Sequence, residues 1–74
     1  MYKLLIFDAN DNACYTKVFK NFHKELLEEF GCNVTWTDAE SILKPRYDAL
    51  LDEFYDNILF NSEEDMTFFV LTYS

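Results

Sequence analysis

Glycine and proline occur once each in these 74 residues, as Gly31 and Pro45. Disordered and collagen-like chains are rich in both, so their scarcity excludes those classes. Positive charge is scarce as well: six Lys and Arg stand against fourteen Asp and Glu, a formal net charge of −8. That balance argues against a direct grip on nucleic acid or an anionic membrane, because both need cations to displace counterions. No apolar run approaches the roughly 18 residues of a membrane span, and no basic stretch leads into a cleavable apolar segment. The expected location is therefore cytoplasmic. The two cysteines, Cys14 and Cys32, lack a Cys-x-x-Cys spacing and read as reduced, small apolar side chains. Asn33-Val34-Thr35 matches the glycosylation triplet, but no secretion signal accompanies it.

Aromatic residues are abundant by contrast, with eight Phe, five Tyr and one Trp. Each ring removes roughly 150–250 Å² from water, enough to give a short chain a dense core. Residues 1–74 are expected to form one compact acidic domain.

Tyr2 to Phe7 is a short apolar run of strand formers, with Leu4/Ile6 and Leu5/Phe7 on opposite faces, and predicts a strand buried on both sides. Asp8 to Asn12 then opens a turn, and Asp11 or Asn12 caps the next helix. Tyr15, Val18, Phe19, Phe22, Leu26 and Phe30 recur at offsets of three and four, predicting a helix from about 12 to 30 that ends at Gly31. On that stripe Cys14 reads as core and His23 falls on the polar face.

Cys32 to Thr37 alternates apolar and polar residues, predicting an edge strand. Thr37 and Glu40 fit a capping box. The apolar series Ile42, Leu43, Tyr47, Leu50, Leu51, Phe54 and Ile58 continues with helical spacing. Pro45 divides it into a helix to about 43 and a new one, or kinks a single helix. Met66 to Tyr73 is the strongest strand signal in the chain. The order is β-α-β-α-β, an α/β (or α+β) fold with a small three-stranded sheet and two helices. Right-handed crossovers predict parallel strands in the order 2-1-3. In the alternative, residues 57–60 form a strand in a C-terminal hairpin with 66–73.

The charge is lopsided. Residues 1–37 carry Asp8, Asp11, Glu25, Glu28 and Glu29 against four lysines, whereas residues 38–74 carry nine acids against Lys44 and Arg46. Asp48, Asp52 and Asp56 stand four apart, so a helix there would line them up about 6 Å from one another. Like charges at that spacing destabilise a helix by a few tenths of a kcal/mol per pair. Together with Glu53, Glu63, Glu64 and Asp65 they are the candidate partner-binding residues.

Two family resemblances attach to KLLIFDANDN, covering about the first 43 residues. Receiver domains of two-component systems resemble it in opening on a strand that ends in acids, followed by a helix and a strand. Haloacid dehalogenase-like phosphatases resemble it in an apolar strand with Asp-x-Asp. Both resemblances imply Mg²⁺-assisted phosphoryl chemistry at Asp8 and Asp11. The chain departs from both: Asn10 replaces the second acid of the phosphatase motif, and the strand predicted to bear the receiver's phosphoacceptor ends Thr72-Tyr73-Ser74. The lysine those families need later in the chain has no place here. Asp8, Asn10 and Asn12 also mimic a calcium loop, but its sixth and twelfth positions hold Ala13 and Phe19 instead of Gly and Glu. Catalysis by Cys14 or Cys32 with His23 lacks a third group to orient the base.

The residues thus point to a non-enzymatic binding protein without a cofactor. The expected partner is a basic protein, a nucleic-acid-handling enzyme or complex whose binding surface the acids would block. In size, acidity and Asn/Phe/Tyr-rich composition the chain resembles phage-encoded counter-defence factors, including anti-CRISPR, anti-restriction and glycosylase-inhibitor types. A degenerate receiver-like signalling module and a minimal Mg²⁺-dependent enzyme at Asp8/Asp11 are the alternatives. Tyr2, Tyr55, Phe60 and Tyr73 are candidates for a contact surface or a homodimer seam.

Overall fold

The computed structural model describes residues 1–10 and 14–74. The chain opens with strand β1 (Tyr2–Leu5), and the residues after it double back on themselves. Phe7 bridges to Tyr15, the Asp8 amide donates to the Cys14 carbonyl (2.9 Å), and the Thr16 amide donates to the Ile6 carbonyl (2.8 Å). This pairing occupies Tyr15 and Thr16, so helix α1 spans Lys17–Phe30 rather than beginning near residue 12. Asp11 and Asn12, the expected caps, lie outside the described residues. Thr16 holds the N-cap position, but its hydroxyl donates to the Leu5 carbonyl (2.9 Å) instead of capping the helix. Gly31 ends α1 at φ 82°, a backbone that favours glycine, and donates its amide to the Leu27 carbonyl. Phe19, Phe22 and Leu26 are buried as the spacing predicts, whereas Phe30 and Cys14 are exposed.

No strand forms at 32–37. Helix α2 (Trp36–Tyr47) starts there instead, and its capping box is Thr35 with Asp38, not Thr37 with Glu40. The Asp38 amide donates to Thr35 Oγ1 (3.3 Å) while the Thr35 amide donates to Asp38 Oδ2 (3.0 Å). Two Thr-x-x-acid frames overlap in this segment, and the earlier one nucleates the helix. α2 continues through Pro45 as one helix: the amide that Pro45 lacks would have served the Ser41 carbonyl, and both residues are on the exposed side, where water can take that bond. Asp48 then adopts the left-handed conformation (φ 50°, ψ 46°) and stops it.

The helix expected to run on to residue 58 is replaced by a β-hairpin. Strand β2 (Ala49–Leu51) and strand β3 (Asn57–Phe60) pair antiparallel, with Leu51 opposite Ile58 and Ala49 opposite Phe60. β1 pairs antiparallel with the other side of β3, Leu4 opposite Ile58. The sheet order is β1-β3-β2, so the parallel 2-1-3 sheet is not formed and β1 is an edge strand. Residues 57–60 are a strand, but their partners are β2 and β1. Met66–Tyr73 is not a strand at all: it belongs to helix α3 (Glu63–Tyr73). Ser62 caps α3 by accepting from the Asp65 amide (3.2 Å), and Glu63, Glu64 and Asp65 lie at the positive end of the helix dipole. Those N-terminal signals, with Phe69 and Tyr73 one turn apart facing inward, override the β-propensity of the run.

The result is a small mixed α+β fold of three helices and a three-stranded antiparallel sheet. One face of the sheet, bearing Ala49, Leu51, Ile58 and Phe60, joins the helices in a single core cluster. Phe69 is central to it, with ring centroids 4.8–5.6 Å from those of Phe22, Tyr47, Phe60 and Tyr73. At the helix junction the Tyr73 hydroxyl donates to Glu25, which also faces Arg46 at 3.7 Å. Burial, then the bond to Glu25, pushes the Tyr73 phenol well above its ordinary range.

Candidate partner-binding surface

Asp48, Asp52 and Asp56 do not line one helical stripe. Asp48 ends α2, Asp52 and Asp56 lie in the β2–β3 connection, and β2 separates the first two. At about 3.3 Å per residue along a strand, Asp48 and Asp52 stand about 13 Å apart rather than 6. β3 then carries the chain from the hairpin tip back to α3. The acids therefore divide into two groups at opposite ends of β3: Asp52, Glu53 and Asp56 at the tip, and Asp48, Glu63, Glu64 and Asp65 around the start of α3.

At the tip, Asp52 is a structural acceptor. It takes the Asp56 amide on Oδ1 (2.7 Å) and the Asn57 side-chain amide on Oδ2 (3.0 Å). Desolvation raises its pKa, but these hydrogen bonds outweigh it and hold the carboxyl below its usual value. The turn also forces Tyr55 to φ 58°, a conformation that costs a bulky side chain roughly 1–2 kcal/mol. Its ring stacks on Trp36 with a centroid separation of 5.1 Å and an interplanar angle of 1°. Phe54 beside it is 74% exposed.

At the other end, Asn61 donates its side-chain amide to Asp48 Oδ2 (2.9 Å), and the Ser62 hydroxyl donates to Asp65 Oδ2 (2.9 Å). Glu63 and Glu64 are exposed on the first turn of α3. One turn further along the same outer surface are Phe68 and Leu71, 61% and 70% exposed. With Thr67 these side chains line a shallow open groove. α3 is thus apolar on both sides: Phe69 and Tyr73 in the core, Phe68 and Leu71 in solvent. A helix apolar all round is normally covered all round. The Phe68 ring lies 5.7 Å from that of Tyr47.

This α3 surface was not legible in the sequence, because a strand at 66–73 would have placed Phe68 and Leu71 on opposite faces. Of the aromatics expected at the margins, Tyr2 and Tyr55 are exposed, whereas Phe60 and Tyr73 are core. At the N-terminal turn Asp8 accepts from the Asn10 amide (2.8 Å), and Asp11 lies outside the described residues. Among the described residues no group of three His, Cys, Asp or Glu is arranged to hold a metal ion. His23 packs on Tyr15 (5.1 Å between centroids) beside a cleft of about 150 Å³ that Phe19 and Trp36 also line. The α-then-β arrangement implied by the receiver resemblance is absent, since a helix follows α1. No helix among the described residues is long and apolar enough to cross a membrane. Compared with family models, curated proteins and solved structures, the chain matches none.

Proposed function

We propose that this protein is a small acidic binding protein that docks the outer face of α3 onto a basic surface of a larger protein. The observation that carries the reading is the solvent-facing pair Phe68 and Leu71 on a helix whose first turn presents Glu63 and Glu64. Apolar anchors flanked by carboxylates suit a partner that offers a nonpolar pocket ringed by Lys or Arg. The acids steer the encounter, and Phe68, once desolvated, supplies most of the affinity. Lys and Arg clusters are what proteins use to neutralise nucleic-acid phosphates. The partner class is accordingly a nucleic-acid-handling enzyme or complex, and the role is that of an inhibitor or adaptor occupying its nucleic-acid site. The size and acidity shared with phage counter-defence factors of the anti-CRISPR and anti-restriction types support the same reading. It has no chemistry of its own in this scheme.

The test is capture from a nuclease-treated host lysate across a salt series, with three immobilised forms of the protein. The unaltered protein should retain a basic nucleic-acid-binding protein at about 0.15 M salt and release it towards 1 M, as the Debye length falls from about 8 to 3 Å. Phe68→Ala, and separately Glu63→Gln with Glu64→Gln, should each cut retention at least tenfold, while Glu53→Gln with Asp56→Gln at the distant tip should not. Retention indifferent to salt, or lost only in the tip variant, defeats the assignment.

A further inference from the structure

The helices cover one face of the sheet and leave the other open. Strand alternation and the pairing register identify what that open face carries. Lys3, Leu59 and Leu50 form one row across β1, β3 and β2, and Leu5 with Asn57 begins the next. Asp52, joined to Asn57, and Asp48, joined to Asn61, stand at the two ends of β2 beside this surface. Leu5 and Leu50 are 49% and 40% exposed, and Glu40 and Lys44 of α2 flank Leu50. The face therefore has a leucine centre, a lysine on its β1 side and two carboxylates on its β2 side.

We propose that this face is a two-fold self-association surface whose occupant is a second copy of the same chain. A two-fold axis parallel to β3 through the Leu59 position sets β1 of each copy over β2 of the other. Leu59 then meets Leu59, and each Lys3 lies across Leu50 of its partner copy, with Asp48 and Asp52 about 6.6 Å to either side along β2 and within reach of its ammonium. The arrangement is isologous, so both ion-pair sets form at once. Three strands spaced about 4.8 Å apart and at most four residues long, at about 3.3 Å each, make a patch of about 14 by 13 Å, on the order of 180 Å² and well short of the roughly 800 Å² per partner of a stable interface. The dimer is consequently weak and dependent on concentration, and it leaves the α3 surface open on both copies.

Sedimentation of the intact protein between about 10 μM and 1 mM, at the physiological ionic strength where the Debye length is about 8 Å, tests the idea. The weight-average mass should rise towards twice that of the monomer. Lys3→Glu, at an exposed position that leaves the fold intact, should weaken association at least tenfold, and Leu50→Lys, which sets a second ammonium against the partner copy's Lys3, should do the same. Phe68→Glu on α3 should leave it unchanged. Circular dichroism melts identify any variant that has lost its fold, and the other substitution then carries the test. A protein monomeric throughout the range, a dimer insensitive to Lys3→Glu and Leu50→Lys, or a dimer broken by Phe68→Glu overturns the proposal.

Discussion

Phe69→Ala and Leu71→Ala, compared side by side, test the helical register of α3 on which the proposed docking surface depends. In a strand, residues 69, 71 and 73 would share one face, and removing either side chain would empty the same core. In the helix they part company. Phe69 is fully buried among four rings, whereas Leu71 is largely in water. Truncating a buried Phe to Ala costs roughly 3–5 kcal/mol, the loss of transfer free energy plus the cavity left behind. A domain of this length has a total stability of about 4–11 kcal/mol, so Phe69→Ala brings it close to unfolding. Leu71→Ala removes little buried area and puts the best helix former in its place, so its effect should stay within about 0.5 kcal/mol.

Thermal denaturation of the three proteins reads these differences directly. For a small domain, each kcal/mol moves the thermal midpoint by about 4–8 °C. Phe69→Ala should therefore melt at least about 12 °C below the unaltered protein or fail to fold. Leu71→Ala should melt within a few degrees of it. Equal losses in the two variants would mean that residues 66–73 bury alternate side chains as a strand does, and the outer α3 surface would cease to exist.

The hairpin tip and the helix junction yield two further expectations. Tyr55→Gly relieves the left-handed strain while losing the stack on Trp36, whereas Tyr55→Ala loses the stack and keeps the strain. The glycine variant should therefore be the more stable of the two by about 1 kcal/mol in denaturant titrations, and the opposite ranking would refute the strained turn. Because the folded-state pKa of Tyr73 is raised, its contribution is fully present below the unfolded tyrosine value near 10 and is lost as pH rises above it. Melts at alkaline pH should show a steeper decline in the unaltered protein than in Tyr73→Phe, and parallel curves would contradict the buried bond to Glu25.

What the sequence made legible follows from how unambiguous each local signal is. The α1 face was readable because Phe19, Phe22 and Leu26 fit only the helical period and Gly31 closes the helix. The segment from Asp48 to Phe60 was not, because a spacing of four satisfies both periods. It is close to one helical turn and also an even number of strand steps, so Asp48/Asp52 and Leu50/Phe54 suit either structure. The deciding feature is Asp48 in the left-handed conformation, which no pattern of apolar residues announces. At α3 the failure had the opposite origin. Eight residues rich in Phe, Val, Thr and Tyr carry a strong β-propensity but no period, and the capping Ser62 with three acids behind it decides the outcome. The acidic character of the candidate site was visible from composition alone. Its division between the two ends of β3 required the hairpin.

The local duties of these acids do not by themselves explain why the chain is so negative. Asp38 closes the Thr35 capping box of α2, Asp65 accepts from the Ser62 hydroxyl at the cap of α3, Asp52 organises the hairpin tip and Asp48 holds Asn61. Gln can accept at the N3 position of a capping box, and Asn serves in turns about as well as Asp, in both cases without adding charge. Glu63 and Glu64 gain from the helix dipole, but each by only about 0.3–1 kcal/mol, and an uncharged first turn is tolerated. A chain selected for stability alone would therefore balance these carboxylates with lysines, and among the described residues a single ion pair joins side chains, Arg46 with Glu25. The surplus negative charge sits where neutral residues would also serve, and in the proposed function it is what the partner's cations would meet.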